Sequence, residues 1–115
     1  MPKILLADDD DTMVALLKTL LGLEGYQVAT LMDKTGDILE NIRQAKPDVL
    51  LIDIYLGDHN GLEIVRQIRN SPEFKGLKIV MASGIDKTEE CLAAGANVFL
   101  LKPYMPNELY DILRA

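Results

Sequence analysis

The chain alternates short, unbroken apolar runs with longer stretches in which apolar residues recur every three or four positions. The runs cover residues 4–7, 28–31, 49–52, 79–82 and 98–101 and are rich in Ile, Leu and Val. Runs of that length without polar alternation suit strands buried on both faces. Between the first two, Met13, Leu16, Leu17, Leu20 and Leu21 predict one apolar helical face, with Gly22 and Gly25 as its stop. Ile38, Leu39 and Ile42 predict a second helix ended by Pro47, and Leu62, Val65 and Ile68 a third ended at Ser71-Pro72. A weaker segment covers about residues 87–94 before Gly95, and a last one starts near Pro106 and carries Leu109, Ile112 and Leu113. The order is strand then helix, five times.

That order predicts an α/β fold: a (βα)5, doubly wound, five-stranded parallel sheet with helices on both faces, forming a single domain over residues 1–115. In such sheets functional groups gather outside the carboxyl ends of the strands, where the strand order switches direction. Asp8, Asp9 and Asp10 follow the first run, Asp53 the third, Ser83 the fourth, and Lys102-Pro103 the fifth. The second ends in Leu31-Met32-Asp33, which is less telling.

Composition narrows the setting. Apolar residues make up 49% of the chain and charged ones 26%, as in ordinary globular proteins. The net charge of −6 disfavours contact of this domain with nucleic acid or anionic lipid. A single cysteine, Cys91, cannot form an internal disulfide and fits a reducing cytosol. No apolar run reaches membrane-spanning length, and Met1-Pro2-Lys3 leads straight into a strand, so no signal peptide is read and the expected location is cytoplasmic.

The candidate chemistry follows from the strand ends. Four consecutive aspartates, Asp8, Asp9, Asp10 and Asp11, are electrostatically costly beside a buried strand unless a cation or proton sits with them. Carboxylates delivered by two strands suggest a hard-cation site, because Mg2+ takes oxygen ligands. Adding the Ser83 hydroxyl and the Lys102 ammonium gives the parts needed to handle a phosphoryl group. Asp53, the only acid at its strand end, is the candidate nucleophile for an acyl phosphate, with Asp8 and Asp9 supplying metal charge. Asp10 or Asp11 serves as a helix cap. His59 reads as a loop residue, Cys91 as a small half-buried packing residue, and Tyr104 as packing on the sheet edge.

These residues resemble those of response-regulator receiver domains of two-component signalling. The resemblance rests on Asp8-Asp9, Asp53, Ser83-Gly84 and Lys102-Pro103-Tyr104, on the loop from Asp53 to its closing Gly61, and on Gly95-Ala96-Asn97 before the fifth strand. It covers essentially the whole chain and implies a flavodoxin-like fold. It implies that Asp53 is the phosphoacceptor, taking a phosphoryl group from a sensor histidine kinase or a phosphotransfer protein. Mg2+ would be bound by Asp9, Asp53 and the backbone carbonyl of Tyr55, with Asp8 acting through a bound water. Lys102 would pair with the phosphoryl group, Ser83 would hydrogen-bond it, and Phe99, three residues before Lys102, would be the switch aromatic. The domain would assist its own phosphorylation and dephosphorylation without being a conventional enzyme. Its output partner is not readable, and a weak homodimer is left open.

The chain also departs from the family pattern. Gly57 stands where Pro is usual, which should loosen the loop, and Leu56 stands where Met is common. Asn60 replaces a frequent Asp. Phe99 lacks a hydroxyl, so any switch would act by packing alone. Residues 83–95 are about three fewer than expected, which puts the usual output face around the fourth helix in question. The fifth helix ends early, at Arg114-Ala115, so the chain reads as a receiver alone or as one cut from a longer protein. Tyr55 and Ile85 should hinder the water that attacks the acyl phosphate and so slow self-dephosphorylation.

Two rival functions use the same residues. Asp8, Asp10 and Thr12 fit the Asp-x-Asp-x-Thr motif of haloacid-dehalogenase-type phosphohydrolases, with Asp8 as nucleophile, but that leaves Asp53 unexplained. A flavodoxin-like cofactor binder would need a phosphate-cradling loop after the first strand, where four acids would repel phosphate. Within the receiver family, a degenerate domain acting only as an interaction module is the remaining alternative.

Overall fold

Successive side chains of a strand point to opposite faces, and here both faces are apolar. In the computed structural model, which describes residues 2–31 and 37–115, every core strand therefore feeds two separate cores. In chain order the elements are β1 (Lys3–Ala7), α1 (Asp11–Leu23), β2 (Gln27–Thr30), α2 (Ile38–Ala45), β3 (Val49–Asp53), β4 (Tyr55–Leu56), β5 (His59–Asn60), α3 (Gly61–Arg69), a 3-10 turn (Pro72–Phe74), β6 (Lys78–Ser83), α4 (Thr88–Ala94), β7 (Val98–Leu101) and α5 (Pro106–Arg114). Leu5, Ala7, Leu50, Ile52, Ile79 and Met81 meet α2, α3 and α4 on one face. Ile4, Leu6, Leu51, Val80 and Ala82 meet Leu17, Leu21 and Leu109 of α1 and α5 on the other.

The five long strands form one parallel sheet in the order β2-β1-β3-β6-β7. The chain steps outward from β1 to β2, then returns to the other side of β1 and continues outward. The strand order thus reverses between β1 and β3, and Ala7 lies opposite Ile52 in register. Asp8 and Asp53, one residue further along each strand, emerge side by side at the switch point. This is the doubly wound α/β architecture expected, with strand ends shifted by a residue.

Local chemistry sets the helix ends. Asp10 is the cap of α1, its carboxylate accepting from the Met13 amide at 3.1 Å. Asp37 caps α2 through the Glu40 amide and Asn60 caps α3 through the Leu62 amide. Gly25 and Gly95 end α1 and α4 with φ of 92° and 119°, a region that glycine enters at little cost. Leu16 departs from its expected face: it is half-exposed, and α1 buries Leu17 and Leu21 with Met13 and Val14 packed beside them. Adjacent positions on a helix point about 100° apart, so Leu16 and Leu17 cannot both face the sheet. Cys91 is wholly rather than half buried. Met32 and Asp33, expected at the end of the second strand, lie outside the described residues.

The small antiparallel ribbon β4–β5 was not foreseen. Tyr55 pairs with Asn60 and Leu56 with His59, leaving Gly57-Asp58 as a two-residue turn. Gly57 has φ 58° and Asp58 no positive φ, the pattern of a hairpin turn with glycine first. The ribbon closes at Gly61, whose amide donates to the Ile54 carbonyl. A Cβ on Gly61 would collide with the Asp53 carbonyl oxygen and lie 2.9 Å from Ile54 Cα, so the close approach demands glycine.

Candidate functional site

Three strand ends converge on one ammonium group. Lys102, just beyond β7, donates from Nζ to Asp8 Oδ2 at 2.9 Å and to Asp53 Oδ2 at 2.8 Å. The three side chains are only 24%, 12% and 15% exposed. Such a setting strengthens charge-assisted hydrogen bonds relative to surface pairs. Burial works against the charge on Lys102, but hydrogen bonds to Asp53 and Asp8 outweigh it and hold the ammonium above its usual range. Two carboxylates drawn to one ammonium repel each other, a setting that a further cation relieves.

The other predicted residues lie on the neighbouring strands and loops. Asp9 is exposed, and its Oδ2 accepts from the Gly57 amide rather than reaching Lys102. The Tyr55 amide faces Asp53 Oδ1 at 3.4 Å, while its ring is 59% exposed. Ser83 ends β6 fully buried, its Oγ accepting from the Ile85 amide at 3.2 Å and its carbonyl accepting from the Lys102 amide at 2.8 Å. Phe99 lies opposite Met81 in the β6–β7 register and is half-buried against the α2–α3–α4 core. Tyr104 is buried beside the site, and that desolvation, chiefly, pushes its phenol up to about 12. Cys91 is on the buried face of α4, where burial and then Glu90 raise its thiol above the usual range, as for an inert packing residue.

These donors fit a hard divalent ion. Among the described residues, no group of three or more His, Cys, Asp or Glu side chains is drawn together tightly enough to hold a metal by itself. Mg2+ asks for less, since it keeps several waters and binds through one or two carboxylates plus phosphate oxygens. Asp8 and Asp53 satisfy that requirement, and Asp9 stands beside them on the Gly57 turn.

Two residues do more here than their place in the sequence shows. Gly57 supplies the amide that holds Asp9. Arg69, at the end of α3, donates to the carbonyls of Gly95 (2.7 Å), Phe74 (3.1 Å) and Leu77 (2.8 Å) and to Asn97 Oδ1 (2.9 Å). A cleft of about 590 Å3, lined in part by Arg69, Lys75 and Lys78, opens beside this network. It lies at the amino-terminal edge of the strands, the opposite end from the carboxylates, so concavity and chemistry do not coincide here.

Comparison with known proteins agrees with this geometry. Residues 4–114 match the family model described as the response regulator receiver domain. The DNA-binding response regulator MtrA of Mycolicibacterium paratuberculosis is 33% identical over 98% of this chain and 50% of its own length. The chain thus spans about half the length of the first curated relatives it matches. Among solved structures, the chemotaxis response regulator CheY4 of Vibrio cholerae is 29% identical with a TM-score of 0.88, covering 99% of this chain and 97% of that one. The receiver domain of the sensor histidine kinase PA1611 from Pseudomonas aeruginosa is 28% identical with a TM-score of 0.80, covering 98% and 94% of the two chains. It carries a magnesium ion in its active-site cleft. Among the described residues no helix is long and apolar enough to cross a membrane.

Proposed function

Because the chain belongs to the response-regulator receiver family, we propose that it is a phosphorylation-controlled switch with Asp53 as its phosphoacceptor. The observation that carries this reading is the convergence of Asp8 and Asp53 on Lys102 at the strand-order switch point. An Asp53 carboxylate oxygen attacks phosphorus in a phosphohistidine of the donor protein. The P–N bond breaks, its electron pair stays with the imidazole, and an acyl phosphate forms on Asp53. Lys102 then trades its carboxylate contact for phosphoryl oxygens and neutralises their charge.

Asp8, Asp9, Asp53 and the Tyr55 carbonyl would hold Mg2+, which when bound shields phosphoryl charge from the neighbouring carboxylates. The magnesium in the PA1611 receiver supports carrying this ion over. Ser83 now accepts from the Ile85 amide, and turning its hydroxyl toward a phosphoryl oxygen would release that loop. Phe99, on the strand paired with Ser83, is placed to repack with it. A local charge change would thereby bias a two-state element. The domain turns over no substrate and is a switch rather than a conventional enzyme. Its donor would be a sensor histidine kinase or phosphotransfer protein in the cytoplasm, and its net charge of −6 argues against direct contact with DNA.

Incubation with acetyl phosphate and Mg2+, followed by peptide mapping, tests the assignment. A phosphoryl group on Asp53 supports it. A label on Asp8 would instead favour a phosphohydrolase, and no label at all an interaction module. A second expectation concerns lifetime. Tyr55 and Ile85 are 59% and 61% exposed, at positions where bulky side chains would screen Asp53 from water. Tyr55→Asn should speed decay of the acyl phosphate by about tenfold, roughly 1.4 kcal/mol of barrier. An unchanged decay rate would remove Tyr55 from that role.

A further inference from the structure

Gly57 does something that the proline usual at this position in the family could not. Its φ of 58° is closed to proline, and its N–H, which proline lacks, donates to Asp9 Oδ2. Both Asp9 carboxylate oxygens face the glycine, lying 3.9 and 4.0 Å from where a Cβ would stand. Asp8 and Asp53 behave differently, each sending an oxygen to Lys102. Of the three acids in the proposed cation site, one is therefore turned onto the β4–β5 turn.

We infer that Gly57 is a positioning residue for the cation side of the site: its amide and the divalent ion compete for the Asp9 carboxylate, so that cation binding is transmitted to the β4–β5 turn. The inference rests on the reading of the site as Mg2+-binding. An N–H donated to a carboxylate is a charge-assisted contact. A cation drawing on the same carboxylate weakens that contact, and by linkage the contact weakens the cation to the same degree. The turn is not isolated. It joins Leu56 to His59 in the ribbon, and the next residue, Asn60, caps α3 through the Leu62 amide at 2.9 Å. Loss of the Asp9 contact therefore frees a segment that ends at the start of a core helix.

The test is a Mg2+ titration of the 15N-labelled chain, with calorimetric affinities for wild type, Gly57→Asn and Gly57→Pro. Without Mg2+, the wild-type Gly57 amide should resonate downfield and be protected from hydrogen exchange. It should move upfield and lose protection in step with the resonances of Asp8, Asp53 and Lys102. Asparagine keeps the N–H and tolerates positive φ, so Gly57→Asn should bind Mg2+ within about threefold of wild type. Gly57→Pro lacks the donor and should bind about tenfold more tightly. A Gly57 amide that stays fixed while Asp8, Asp53 and Lys102 respond would overturn the inference and leave the cation site standing. So would weaker binding by a folded Gly57→Pro protein. If no resonance responds to Mg2+, the cation site and the inference fall together. Should Gly57→Pro not fold, the wild-type amide shift and exchange decide the matter.

Discussion

An Asp53→Ala variant is expected to take up no phosphoryl group from acetyl phosphate and Mg2+, yet to unfold within about 1 kcal/mol of wild type. The first half follows from the proposed role of its carboxylate as nucleophile. The second follows from the charge arrangement. Asp8 and Asp53 share one ammonium at 2.9 and 2.8 Å, so their two carboxylates are held close together in a largely buried setting. Removing Asp53 leaves Lys102 paired with Asp8 alone, a balanced pair that loses one favourable contact and one repulsion together. Intact-mass measurement reads the label and urea denaturation the stability. Persistent labelling of the variant would place the acceptor elsewhere. A loss of several kcal/mol would mean that Asp53 is a structural anchor as well.

The opposite pattern is expected at Arg69. Arg69→Ala should cost about 3 kcal/mol and lower the Tm by about 10 °C or more, with phosphoryl uptake per folded molecule unchanged. The guanidinium reaches four oxygens contributed by the 3-10 turn, by Leu77 just before β6 and by the α4–β7 connection. Burial pulls it below the usual arginine range, far from enough to remove its charge near neutral pH. The acceptors carry no formal charge; without the fork the Gly95 and Leu77 carbonyls lose the donor they have here, while the Phe74 carbonyl keeps the Leu77 amide at 3.0 Å. Asn97 Oδ1 also accepts from the Ile79 amide at 2.7 Å, so the loss spreads to the edge of β6. Arg69→Lys should recover only part of it, because an ammonium cannot span the same fork. Thermal melts of the three proteins check the order. Equal stability of the alanine variant would show that water replaces the fork without cost.

Reading the sequence recovered the sheet, the helix order and the meeting of Asp8, Asp53 and Lys102, because each rests on a strong local signal. Unbroken apolar runs mark buried parallel strands, and a charged residue directly after such a run has few places to go. Arg69 was missed because its contacts fall outside any short window. Arg69 stands in an amphipathic helix like any surface arginine, and its four acceptors lie between 5 and 28 residues away. The ribbon of β4 and β5 has two residues per strand, too short for alternation to register. Its one cue was Gly57-Asp58 between Leu56 and His59, a pair suited to a hairpin turn. Gly in place of Pro suggests a looser loop, whereas the positive φ and engaged amide of Gly57 give it a definite conformation. Leu16 was misplaced because leucines at adjacent positions satisfy a helical stripe on paper that only one can satisfy in three dimensions.

The reach between Lys102 and Asp8 has a consequence for biosynthesis. Those partners lie 94 positions apart, and Lys102 and Asp53 lie 49 apart. Contacts so distant along the chain close late, after shorter loops have formed. A nascent polypeptide therefore cannot complete the ammonium–carboxylate trio until nearly all of this sequence has left the ribosome. On the phosphoacceptor reading proposed above, the site would then be completed only together with β7, so an unfinished chain would hold no assembled trio.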